Sequence, residues 1–91
     1  MTTEKEKLVV EKMERMATLL EFGGYAEWSA SILKLAKKYV MDPDDTKHTF
    51  RNLYGGMGSL NDLVLYRNGK VLMSETDELD QLRSDLFNLL S

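Results

Sequence analysis

Four groups of residues stand at spacings that chemistry uses. The first is Gly55-Gly56-Met57-Gly58-Ser59, three glycines in four positions. A glycine-rich turn can aim backbone N–H groups at a phosphate. Phosphate loops deliver the chain into a helix N-terminus, and the Walker pattern closes on Gly-Lys-Ser/Thr. This segment holds no lysine and leads into an apolar, strand-like run, so its glycines read as a turn that swings the chain from helix to hairpin. The second group, Asp42, Asp44 and Thr46, alternates like the start of a calcium loop. Lys47 stands where that loop needs glycine, and Leu53 where it needs a bidentate glutamate. Helix capping accounts for the same aspartates without a metal. The third, His48, has the residue types of a hydrolytic triad in Ser59 and Asp62 and could be one ligand of a zinc site. Nothing else supports either role, and a solvent-facing or capping histidine is expected. The fourth, Asn61-Asp62, has side chains that commonly fasten a loop to nearby backbone. Gly55, Gly56, Gly58, Asn61 and Asp62 remain the positions at which a small ligand would bind.

Composition narrows the classes further. The chain has 91 residues, 43% of them apolar and 30% charged, with a net charge of −3. That is the balance of an ordinary folded globule, and residues 1–91 are expected to form one domain, because a second core has no room. There is no cysteine and one histidine, which excludes disulfides, thiolate chemistry and multi-histidine metal sites. No apolar run approaches the roughly 20 residues of a membrane span. The charged start, Met1-Thr2-Thr3-Glu4-Lys5-Glu6-Lys7, leads into a helical pattern and does not read as a signal peptide. The expectation is a soluble, cytoplasmic, mildly acidic protein that is not an enzyme, takes no cofactor or metal, and binds neither nucleic acid nor membrane.

The elements that must position these residues follow from periodicity. Val9, Met13, Met16 and Leu20 recur at helical spacing, predicting a helix over about Glu4 to Phe22 that stops at Gly23-Gly24. A second helix is predicted from about Tyr25 to Val40, with the stripe Trp28, Ile32, Leu35 and Tyr39. Lys34, Lys37 and Lys38 stand late in it, where cations suit the helix dipole. The two form an antiparallel helical hairpin. Asp42-Pro43-Asp44-Asp45 announces a third, short helix, with Asp42 as N-cap and Pro43 at the first helical position. It runs to about Leu53.

After the glycine segment the period changes. Leu63-Val64-Leu65-Tyr66 is strand-like, and Asn68-Gly69 is a strong hairpin signal. That turn sets Arg67 opposite Lys70, Tyr66 opposite Val71, Leu65 opposite Leu72 and Val64 opposite Met73. One face then carries Leu63, Leu65 and Leu72; the other carries Val64, Tyr66, Val71 and Met73. Both are apolar, so both are expected to be covered. Ser74 reads as the N-cap of a last helix, about Glu75 to Leu90, with Leu79, Leu82, Leu86 and Leu89 as its stripe and Phe87 and Leu90 beside it. The fold class is α+β: an N-terminal helical hairpin, a short third helix, a two-stranded β-hairpin and a C-terminal helix.

The segment from Tyr54 to Leu65, with Gly-Gly-Met-Gly-Ser and then Asn61-Asp62-Leu63, resembles a family of small uncharacterised bacterial proteins that share it. Trp28 in the preceding helical region, the Asn68-Gly69 turn and Leu79-Asp80-Gln81-Leu82-Arg83 in the closing helix match the same pattern. Leu60 stands where an aromatic residue is commoner. The resemblance spans about Leu19 to Leu89 and implies the layout, not an activity.

Charge suggests a partner. Residues 74–91 hold Glu75, Asp77, Glu78, Asp80 and Asp85 against Arg83, a local net of −4. Part of this matches the helix dipole. The surplus repels nucleic acid and attracts a basic protein. Small, acidic and without catalytic residues, the chain is similar in scale and character to immunity proteins of bacterial toxin systems. The leading expectation is a protein-binding module, an immunity or inhibitor protein that neutralises a basic toxin by occlusion. Glu75, Glu78, Asp80 and Asp85 would be its contact residues. The alternative is a regulatory or housekeeping adaptor that acts as a homodimer through the hairpin edge or a helix face.

Overall fold

A computed structural model of the chain describes residues 3–53 and 63–90. The candidate loop residues Gly55, Gly56, Gly58, Asn61 and Asp62 lie outside them. Helix α1 spans Glu4–Phe22. The Thr3 hydroxyl accepts a hydrogen bond from the Glu6 N–H at 3.1 Å, and Glu4 and Glu6 stand in the positive first turn. Its expected stripe is buried, widened by Ala17 and Leu19. The two glycines that end it have different reasons. Gly24 has φ +92°, a conformation that costs a residue with a Cβ energy. Gly23 has an ordinary φ of −85°. It is glycine because Leu65 lies on it: a Cβ there would sit 2.5 Å from Leu65 Cδ2 and 3.0 Å from Leu65 Cβ.

Helix α2, Ala26–Met41, buries Ser29, Ile32, Leu35, Ala36 and Tyr39. Trp28 is half-buried against the same core. Helix α3, Pro43–Asn52, begins as its sequence predicts: the Asp42 carboxylate accepts from the Asp45 N–H at 3.2 Å, and Asp44 and Asp45 stand in the first turn. Phe50 is its fully buried anchor. Strands β1, Tyr66–Arg67, and β2, Lys70–Val71, pair antiparallel in the expected register, Tyr66 with Val71 and Arg67 with Lys70. Asn68 and Gly69 both have positive φ, 53° and 77°, as the two-residue turn requires. Helix α4, Met73–Leu89, buries Leu79, Leu82 and Leu86, with Leu90 just beyond. The order is helix, helix, helix, hairpin, helix, an α+β fold. Helix α1 packs against both α2 and α4, and α2 against α3. Leu63 and Leu65 close the core from the hairpin side.

Three expectations are corrected. The ladder is shorter than the apolar run, because helix side chains take the backbone groups of residues 63–65. Arg83 donates to the Leu63 carbonyl at 3.3 Å, the Tyr25 hydroxyl donates to the Val64 carbonyl at 2.9 Å, and the Leu65 N–H donates to Thr76 Oγ1 at 3.1 Å. One further main-chain bond, from the Leu72 N–H to the Leu65 carbonyl at 2.8 Å, closes the hairpin stem. The last helix starts at Met73, not Glu75, so Met73 does not face Val64 across a ladder. Its N-cap is Leu72, and Ser74 lies inside it. Finally, only one face of the hairpin is covered. Leu63 and Leu65 are buried and Leu72 is half-buried, whereas Tyr66, Val71 and Met73 are 48%, 44% and 68% exposed.

Candidate interaction surface

The acidic residues of α4 separate by helical position. Glu75, Glu78 and Asp85 fall on the flank toward α1, and two of them are tied there. Glu78 takes a forked contact from Arg15, Nε to Oε2 at 2.5 Å and Nη2 to Oε1 at 2.9 Å. Asp85 accepts from Lys12 Nζ at 3.0 Å and from Gln81 Nε2 at 2.9 Å. The Arg15 hydrogen bond holds the Glu78 carboxyl below its ordinary range, and the bonds from Lys12 and Gln81 do the same for Asp85. Glu75 is half-buried in the first turn. Asp80 lies on the other side, exposed and paired with Arg83. The four predicted contact residues therefore do not share one face. Two serve as fasteners between α1 and α4, and the outward acids of α4 are Asp77 and Asp80.

The outer face of the hairpin leads into the start of α4. Cross-strand partners share a face, so Tyr66 and Val71 stand together, and Met73 follows at the start of α4. Arg67 and Leu65 occupy the opposite face. Leu65 rests on Gly23, and the Arg67 guanidinium lies 4.4 Å from the centroid of the Phe22 ring. These contacts press the inner face onto the end of α1 and leave the outer one toward solvent.

The hairpin edges offer little to a partner. Antiparallel pairs alternate between bonded and non-bonded. With Leu65 bonded to Leu72, the Tyr66–Val71 pair is the one whose main-chain groups point outward, one residue per edge. That is too short for strand addition, so contact through this hairpin is contact through side chains.

The remaining candidates have local duties. Asp42 caps α3, and Asp45 pairs with Lys38, which lowers the Asp45 pKa. His48 is exposed on α3, and Ser59 and Asp62, its suggested triad partners, lie outside the described residues. Among the described residues no three His, Asp or Glu side chains are placed to hold a metal. A groove between α2 and α3 is lined by Ser31, Lys34, Leu35, Lys38, Thr49 and Leu53. Among the described residues no helix is long and apolar enough to cross a membrane. Sequence reasoning overlooked Arg83, a charged residue buried within the α4 stripe at 6% exposure. The signal was its position one residue after Leu82. Phe87, expected beside the stripe, is exposed, with the Arg51 guanidinium 5.0 Å from its ring centroid.

Compared with known proteins, residues 21–73 match the model of a family described as Domain of unknown function (DUF6966). No curated protein and no solved structure matches the chain. The matched span holds the glycine turn after α1, all of α2 and α3, the hairpin and Met73. The four acidic candidates of α4 fall beyond it.

Proposed function

The chain belongs to the DUF6966 family, whose function is unknown, and from that premise we propose that it is a protein-binding module whose contact surface is the outer face of the hairpin. The observation that carries this reading is the contrast across two short strands: one apolar face is buried and the other, Tyr66, Val71 and Met73, is exposed. Exposed aromatic and aliphatic residues grouped on a rigid element serve as interface anchors. The turn with two positive φ values and the Arg67–Phe22 contact hold the face in one shape, so little ordering entropy is lost on binding. All three apolar anchors lie inside the span that the family model matches.

In its fuller form the module is an immunity or inhibitor protein that neutralises a toxin by occlusion. Asp77 and Asp80 follow Met73 at helical spacing on one side of α4, and the chain carries a net charge of −3, so the favoured partner is basic around an apolar depression. Glu78 and Asp85 add to the long-range field, but their carboxylates are already engaged. The chain contributes bulk and complementarity, not chemistry.

The test uses immobilised chain in a native extract, at low and high salt, beside Tyr66→Glu. The reading expects one stoichiometric basic protein, held less well as salt rises and lost in the variant. The purified partner's activity should then be blocked by the wild-type chain and spared by Tyr66→Glu. A partner that binds the variant equally well would overturn the assignment of the surface. Undiminished partner activity in the complex would overturn the inhibitor reading.

A further inference from the structure

The groove between α2 and α3 has a volume of about 520 Å³ and continues into a second hollow of about 260 Å³. Ser31 and Leu53 line both, so the two are successive parts of one trough. Helical spacing gives the trough a direction. Glu27, Ser31, Lys34 and Lys38 stand four, three and four residues apart, one stripe along α2. Lys34, Lys38 and Thr49 line only the first hollow, and Glu27 and Trp28 only the second. The distance from Lys38 to Trp28 along the helix is about 15 Å. The trough therefore has a cationic end, an apolar middle at Leu35 and Leu53, and an indole beside a carboxylate at the far end. Its two cations differ. Lys38 is paired with Asp45. Lys34 is exposed and takes part in no ion pair among the described residues. Its ammonium is joined in the first hollow by the hydroxyl-bearing side chains of Ser31 and Thr49. The wall is otherwise mostly carbon, because long cationic side chains lay their stems along apolar surface. A mainly apolar lining with a few polar groups is the composition of a small-molecule site.

We infer that this trough binds a free long-chain carboxylate. The carboxylate head sits on Lys34, and the chain lies over Leu35 and Leu53 toward Trp28. Glu27 fixes the direction, because its charge repels a second carboxylate from the Trp28 end. Charge also selects the kind of anion. Asp42, Asp44 and Asp45 stand where α2 passes into α3, just beyond Lys38. An acidic peptide or an anionic membrane, with many negative charges, is repelled there; a single carboxylate on Lys34 is not. The site is built from α2 and α3 alone and stands independently of the hairpin face.

Trp28 is the single tryptophan of the chain and is half-buried, so its fluorescence reads the trough directly. The full chain is titrated with sodium dodecanoate below its micelle concentration, beside dodecyltrimethylammonium, acetate and vesicles of phosphatidylglycerol. Wild type is expected to show a saturable blue shift with dodecanoate, with its helical circular dichroism unchanged. Acetate lacks the chain and dodecyltrimethylammonium the anionic head, so neither should reproduce the shift. Lys34 is exposed, so Lys34→Glu keeps the fold and should weaken dodecanoate binding by about fivefold or more. Lys34→Arg retains a cation for the carboxylate and should bind like wild type. No saturable shift with dodecanoate, an equal response to dodecyltrimethylammonium, undiminished binding by Lys34→Glu, or a shift that accompanies loss of helicity would each overturn the inference. A response to the vesicles without one to dodecanoate would replace the free carboxylate with a membrane surface and overturn it as well.

Discussion

Leu65 and Leu72 lie on one side of the hairpin; Tyr66 and Val71 lie on the other, and Met73 follows at the start of α4. By composition the two sides are equivalent, and alternation alone would send either one inward. What separates them is outside the hairpin. The inner side finds a glycine at the end of α1 on which Leu65 can rest, and an aromatic ring over which Arg67 can lie. Among the described residues Tyr66 and Val71, on the outer side, have no such seat and stay exposed. The difference teaches that a face is a core face because a complementary surface exists for it, and that an apolar face without one is available for another molecule.

Removing the inner side should cost most. Leu65→Ala truncates a fully buried side chain and should lower stability by about 2–5 kcal/mol, read as a fall in the urea midpoint. Gly23→Ala leaves that side chain in place and raises its seat instead. The added methyl crowds three carbons of Leu65, so a loss of about 1–3 kcal/mol is expected. If this variant is as stable as wild type, the account of Gly23 is wrong. Thr76→Val keeps the shape of the residue and removes the acceptor of the Leu65 N–H. Leaving that donor unpaired should cost about 1–2 kcal/mol, and exchange at the Leu65 amide should quicken.

The seam between α1 and α4 supplies a comparison by charge. Glu78 and Asp85 titrate below their ordinary values in the folded chain. Their contribution to stability is therefore present at neutral pH. It is lost as pH falls below the usual carboxylate range and through the depressed values. Glu78→Gln should flatten that acid limb while shifting the neutral-pH midpoint only slightly, since the pair is exposed. At the small end stands the outer face. Val71→Thr should change stability by no more than about 0.5 kcal/mol while weakening association. A large stability loss there would show the outer face to be part of the core.

Much of this architecture is legible in the residue order. The stripes of α1 and α2, the Asp42-Pro43 start of α3 and the Asn68-Gly69 register each depend on neighbours a few positions away, and they stand where local rules put them. The rest depends on contacts between distant residues. Apolar alternation over Leu63–Leu65 predicts a strand, but Tyr25, Thr76 and Arg83 reach these residues from 39, 11 and 20 positions away and take their backbone groups. Leu72, tied to Leu65, sets the helix start earlier than Ser74 would. The acids of α4 read as a free surface because their cations, Lys12 and Arg15, are 73 and 63 residues distant. Alternation marks both hairpin faces as apolar, but it has no term for Gly23.

The fastening of residues 63–65 also bears on the order in which this chain is completed as it leaves the ribosome. Tyr25 is already synthesised when Val64 emerges, but Thr76 and Arg83 are not. Until the first turns of α4 have cleared the exit tunnel, the Leu65 amide and the Leu63 carbonyl have no partner from that helix, and Leu65 is held by its seat on Gly23 and by the main-chain bond from Leu72. The inner face of the hairpin is therefore closed late, by a helix made after it, and a nascent chain halted before Arg83 would carry the hairpin with its inner face still unlatched.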